Sequence, residues 1–339
     1  VTGMSQQSSL LRLQPAETPL TAGLPGAWTA LAAVVGLALY PLVMQGIGAD
    51  FYITLGTRIL ILALAASALN VALGYGGMIS LGHAAFLGTG AYTVAFLASH
   101  GVEAAWLAVP AAVAVAALAA LLIGAASLRT SGVYFIMITL AFAQLLYLLA
   151  VSLPALGGDD GLQLTARLSV PGLSLENDLV FYYFVLFVAG LAFALLYRLV
   201  ASRFGRALVA IRENERRMAA IGYPVYRLKL MAFTLSGGLA GLAGALLANL
   251  SMGVTPHTLT WQQSGLLMVM VILGGSGYFW GGISGAAIFL LLEEVISTQT
   301  EHWNLVLGAL LLLIVMVAPN GVMSLRGRLA AALRRGGAQ

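Results

Sequence analysis

Ten stretches of mainly apolar residues follow one another along the chain with almost no charge inside them. They are Ala27–Ile47, Tyr52–Leu73, Met78–Ser99, Ala104–Leu128, Val133–Leu153, Leu179–Val200, Leu230–Met252, Ser264–Gly277, Gly281–Ser297 and Trp303–Ala318. A bilayer core requires about 20 apolar residues per helix, and most of these runs meet that length. Charged residues make up 8% of the sequence, against about 25% in an ordinary soluble domain. Such a chain cannot cover a globule of 339 residues with polar surface. A cytosolic enzyme, a disordered protein and a nucleic-acid binder are thereby excluded. The expected fold is an all-α polytopic membrane protein of about ten transmembrane helices.

The eighth and ninth runs are short, and one bent helix there would reduce the count to nine. Charge decides between the two. With the N-terminus inside and ten crossings, 14 of the 16 basic residues face inward and only Arg58 and Arg167 face outward. Nine crossings would put the basic cluster Arg326–Arg335 outside. The positive-inside rule therefore favours ten spans with both termini cytoplasmic. The expected organisation is a cytoplasmic tail over 1–26, a membrane domain over 27–318 and a basic cytoplasmic tail over 319–339. Arg58 lies about two turns from the outer end of its span, close enough to snorkel. Glu293 and Glu294 lie near the outer end of theirs. An ion-coupled carrier often needs an ionisable group at mid-membrane, and none is evident.

Several segments carry more specific information. Gly74-Tyr-Gly-Gly-Met-Ile-Ser-Leu-Gly-His-Ala-Ala-Phe-Leu-Gly-Thr-Gly-Ala-Tyr92 holds six glycines in 19 residues at a span boundary. Glycine weakens a regular helix, and irregular backbone at membrane depth belongs inside protein or beside a water-filled path. A broken helix lining a path would offer Asn70, Tyr75, Ser80 and His83, with Tyr134 and Gln144 as further candidates. The plainer alternative is close packing through small residues, with His83 satisfied by a backbone carbonyl. Leu273–Ala287 is a second glycine-rich bend, on the inner side. No G-x-x-x-x-G-K-[ST] motif occurs in the chain, so any ATP is expected on a partner and no cofactor on this chain.

The longest inner hydrophilic stretch is the loop 201–229. Within it Arg206–Ile221 fits a short amphipathic helix, with Leu208, Ile211, Met218 and Ile221 partly on one face and Gly222 and Pro224 as its stop. It reads either as an anchor on anionic lipid or as a docking helix for a cytoplasmic protein. On the other side, Asp159 and Asp160 lie in a turn-rich loop. Two adjacent carboxylates do not make a calcium site; a gate or a contact for an external protein is preferred. No metal set is expected, and no catalytic one. The histidines His83, His100, His257 and His302 have no H-x-x-x-H spacing.

Together Leu69–Tyr92, Ser131–Phe142, Gly157–Leu162, Ser202–Gly222, Lys229–Leu250 and Leu273–Glu294 resemble the LivM-type permease subunit of bacterial branched-chain amino acid ABC importers, within the LivH/LivM permease family. The resemblance runs from about Tyr52 to Gly321. It implies a bacterial inner-membrane subunit that pairs with a second LivH-type permease, two cytoplasmic ATPase subunits binding ATP-Mg, and a periplasmic substrate-binding protein. It also implies that the inner loop is the coupling helix, with Arg206, Arg212, Glu213, Asn214, Glu215, Arg216, Ala219 and Gly222 as the ATPase-contact candidates. The usual importer pattern there is Glu-Ala-Ala, three residues, then Gly. Ala219, Ala220 and Gly222 stand near Glu215 at a different spacing, so the role attaches to the segment rather than to each residue. Relatives in the family also move urea, amides and aromatic acids. The competing readings are a self-sufficient secondary carrier or channel for a small zwitterion, and a non-transport scaffold or membrane enzyme.

Overall fold

In hydrocarbon a chain has no water to satisfy its backbone, so each apolar run closes its own hydrogen bonds as a helix. A computed structural model describes residues 27–171, 174–317 and 321–323. The expected cytoplasmic tail over 1–26, and all but residues 321–323 of the one over 319–339, lie outside those residues. A helix occupies each of the ten predicted stretches: α1 Ala27–Gly46, α2 Asp50–Asn70, α3 His83–Ser99, α4 Ala105–Ser127, α5 Val133–Ser152, α6 Asp178–Ala201, α9 Val225–Ser251, α10 Trp261–Gly274, α11 Gly281–Ser297 and α12 Trp303–Val317. Two short helices, α7 Arg203–Glu213 and α8 Glu215–Ala220, lie in the loop between α6 and α9. Five helical segments are long and apolar enough to cross a membrane: Asp50–Tyr75, Ala105–Ser127, Val133–Ser152, Asp178–Ala201 and Val225–Ser251. The chain is an all-α, multi-pass membrane protein.

Two expectations are corrected. The third span does not begin at Met78. The α2 helix loosens into a π turn over Val71–Tyr75, and residues 76–82 run without helix until α3 starts at His83. The glycines make this break possible, and Gly77 adopts a φ of +66° that side-chain-bearing residues resist. The inner amphipathic segment is also not one helix. It divides at Asn214, whose extended backbone (φ −156°) ends α7 and whose side chain caps α8 by accepting from the Arg217 N–H. The eighth and ninth stretches form two separate helices, α10 and α11, joined through Gly275 at φ +117°.

The core is built around α9, against which α2, α3 and α4 pack. No hydrophobic force draws helices together in lipid, so small residues allow the close approach that does. On α4, Ala112, Ala116 and Ala120 recur every fourth residue, all fully buried. On α9, a Cβ at Gly244 would sit 1.8 Å from the Leu87 carbonyl oxygen of α3. By contrast α5 turns Val133, Tyr134, Met137 and Leu148 outward.

The two ends of the bundle differ. At one end the segment 154–171 is tied down by a two-stranded antiparallel pair, β1 Leu162–Gln163 with β2 Gly253–Val254. Asn249 of α9 accepts from the Leu168 N–H at 2.9 Å. Arg167 pairs with Asp178 at 2.6 Å and lies over the Phe181 ring. At the other end the π turn, α7, α8 and the α10–α11 bend gather.

Candidate coupling site

The α7 helix starts because Ser202 accepts hydrogen bonds from the Phe204 and Gly205 N–H groups. Its Leu208, Val209 and Ile211 are buried against the bundle. Gly205 lets it cross the end of α6 closely, since a Cβ there would lie 2.1 Å from the Val200 carbonyl oxygen. After Asn214 the chain reverses through α8, where Met218 alone is buried. Lys229 of α9 pairs with Glu215 and ties α8 back. The outer surface of this elbow holds Arg216, Arg217, Ala219, Ala220, Ile221 and Tyr223, all exposed. Ile221, which the spacing puts partly on one face with Leu208, Ile211 and Met218, lies just past the end of α8 and is 63% exposed. A basic rim around small and apolar side chains is a surface suited to another protein.

The elbow is joined to both broken helices. The Arg212 guanidinium donates to the Gly74 carbonyl oxygen at the π turn. From the same break, Asn70 donates to the Tyr278 carbonyl oxygen at 2.8 Å and accepts from the Gly277 N–H at 3.0 Å. One carboxamide thus bridges the end of α2 to the α10–α11 bend. A Cβ at Gly74 would fall 2.0 Å from Asn70 Oδ1 and 2.5 Å from the Gly277 nitrogen. Arg212 thus ties α7 to the π turn, and Asn70 ties the same break to the α10–α11 bend. A cavity of about 170 Å³ lies beside the break, lined by residues including Gly77, Met78, Ser131, Phe135 and Glu215.

The path candidates divide. Asn70, Tyr75, Ser80 and His83 are all buried near the break, and three of them are engaged in internal hydrogen bonds. Ser80 accepts from the Gly82 N–H. His83 Nε2 lies 2.8 Å from Ser236 Oγ, which donates its proton to the Ala68 carbonyl oxygen. The ring nitrogen Nε2 is therefore the donor to Ser236, and Nδ1 has no partner among the described residues. The partner of His83 is a hydroxyl, not the backbone carbonyl of the plainer expectation. Phe86 and Phe233 stand edge-on around the ring. Tyr134 and Gln144 are on α5, Tyr134 73% exposed and Gln144 partly exposed. Asp159 and Asp160 are exposed on the loop at the opposite end. Among the coupling candidates, Arg206 donates to the Ala201 carbonyl oxygen, Glu213 is exposed, and Gly222 takes a φ of +87° where the elbow turns into α9.

Sequence reasoning missed two contacts. One is the Lys229–Glu215 pair. The other joins α2 to α11: Arg58 lies 3.5 Å from Glu293. Both acids and bases were visible, but their partners come from distant elements, and only packing brings them together. No group of three or more metal-ligating side chains occurs among the described residues.

Residues 51–316 match the family described as branched-chain amino acid transport system, permease component. The chain is 29% identical over 295 residues to the high-affinity branched-chain amino acid transport system permease protein LivM of Salmonella typhimurium, covering 80% of this chain and 69% of that one. It is 30% identical over 279 residues to the Escherichia coli protein of the same description, covering 75% and 66%. It is 31% identical over 157 residues to the autoinducer 2 import system permease protein LsrC of Salmonella paratyphi B, covering 44% and 43%. The aligned regions span about two thirds of the length of the two LivM relatives. No solved structure matches the chain. With its helices, its broken segments and a match covering most of its length, this chain belongs to the family of permease components of branched-chain amino acid transport systems.

Proposed function

We propose that this chain is the membrane-spanning permease subunit of an ATP-driven importer that moves branched-chain amino acids, or related small polar solutes, into the cytoplasm. It has ten spans with both termini cytoplasmic, in a bacterial inner membrane. It works with a second LivH-type permease, two ATPase subunits that bind ATP-Mg, and a periplasmic substrate-binding protein. The relative LsrC is named for autoinducer 2 import, so the substrate range of such machines is wider than amino acids.

The observation that carries this reading is the α7–α8 elbow. It presents an exposed basic and apolar surface outward, and through Arg212 it holds a broken helix inward. A helix used only as a lipid anchor has no need of that inward link. ATP binding would bring the ATPases together, and the elbow would carry that movement to the Gly74 and Gly277 breaks. Each ligand shifts the inward- and outward-facing equilibrium only by its difference in affinity for the two states. The surface at the opposite end, with Asp159 and Asp160 exposed, is the place for the binding protein.

The test is affinity purification of the chain in mild detergent, with mass spectrometry of what accompanies it. Two ATPase subunits and a second permease are expected. Charge reversal of Arg212 together with Arg216 should reduce ATPase recovery at least tenfold while membrane insertion is retained. Unchanged recovery would remove the coupling role from the elbow.

A further inference from the structure

Arg58 stands eight residues into α2, roughly 12 Å from that helix end. Glu293 stands four residues from the matching end of α11, roughly 6 Å in. Their charged groups are 3.5 Å apart, with the Arg58 side chain 47% exposed and that of Glu293 21% exposed. Glu294 follows, also partly exposed. A charge-assisted hydrogen bond closes to about 2.7–2.9 Å; this ion pair is longer than that, and both side chains are partly exposed. A guanidinium half open to hydrocarbon at this depth is costly, and charged residues within spans face bundle interiors or water-filled cavities. Arg58 also shares a helix face with Thr54 and Leu62, four residues to either side, and neither is fully buried.

We infer that Arg58 and Glu293 line a hydrated path and form a transient site for a zwitterionic amino acid, Arg58 taking its carboxylate and Glu293 its ammonium group. The site rests on the importer reading above and adds where in this chain the substrate is recognised. One positive and one negative group, both partly exposed, can each exchange the other for the opposite charge of an α-amino acid. An uncharged solute such as urea makes no comparable demand. The open pairing suits a conduit, where binding must be weak enough for release. In the unoccupied state each group neutralises the other, so neither is left as an unpaired charge in the membrane.

The test uses the complete complex in proteoliposomes, with leucine as the probe. The double variant R58Q/E293Q leaves no unpaired charge, so assembly and basal ATPase activity should persist while leucine uptake falls at least tenfold. Uptake within twofold of the parent complex would overturn the site. A second arm keeps both charges. The chain has no cysteine, so a single Leu62→Cys reports on water at that face. A cationic, membrane-impermeant thiol reagent should label it, and leucine should slow the labelling. If R58Q/E293Q fails to assemble, this arm decides: labelling slowed by leucine supports the site, and absent labelling or labelling indifferent to leucine overturns it. A parent complex that assembles with ATPases but takes up no amino acid would overturn the zwitterion site and leave the importer standing. A chain that recruits no ATPase would overturn the importer reading itself.

Discussion

Asn70 shows how much one side chain does in the break. Its carboxamide satisfies a backbone donor and a backbone acceptor of the α10–α11 bend at once. Asn70→Ala leaves Gly277 N–H and Tyr278 C=O in the interior without that partner. A buried group left unsatisfied costs about 1–3 kcal/mol, so the purified complex should melt at a lower temperature, with transport reduced more than melting alone explains. Gly244→Ala tests packing instead. Its Cβ would meet the Leu87 carbonyl oxygen at 1.8 Å, and overpacking of this kind costs about 1–3 kcal/mol. The expected result is lower folded yield, measured by size-exclusion recovery, while Gly190→Ala, with nothing near its Cβ, should be neutral. The sequence made Asn70 and His83 visible as polar residues in an apolar stretch. It did not reveal their partners, because Tyr278, Gly277 and Ser236 reach them only once α9 and the α10–α11 bend have packed. Exposure to a path and burial in a network look alike in a single sequence.

Among the elements, the elbow is the one whose outline was legible and whose joint was not. Amphipathic spacing located Arg206–Ile221, and Gly222 marked its end. The break at Asn214 had a signal too, since Asn is a strong helix-capping residue, but continuous apolar spacing across it favoured one helix. Asn214→Ala should cost about 1 kcal/mol through loss of the cap. It should loosen α8 without unfolding the bundle, seen as faster amide exchange confined to 215–222. Reversal of Arg216 and Arg217, which have no acidic partner among the ion pairs of the described residues, should weaken ATPase recovery and leave the melting temperature unchanged. Arg212→Glu should instead act inside the chain. It removes the link to Gly74, so ATP hydrolysis should continue while uptake falls.

At the scale of the whole molecule, the helices were readable because a bilayer dictates long apolar runs and the chain obeys. The glycines of 74–92 pointed to a broken helix there, but neither its bounds at 76–82 nor the β1–β2 pairing was readable, because both depend on which elements meet. The structure also gathers the π turn, the elbow and the α10–α11 bend at one end, and Asp160 with the strand pair at the other. In the proposed topology the first end faces the cytoplasm, as the positive-inside rule expects. In the cysteine-free chain, Tyr223→Cys should react with an impermeant thiol reagent only after the cell membrane is opened, and Asp160→Cys without that step. The reverse pattern would invert the topology. The most direct test of the central claim is reconstitution of this chain alone, beside the complete complex, in liposomes loaded with ATP and supplied outside with binding protein and leucine. The account predicts ATP-dependent uptake by the complex and none by the chain alone. Uptake by the chain alone, unaffected by ATP, would contradict it and identify a self-sufficient carrier.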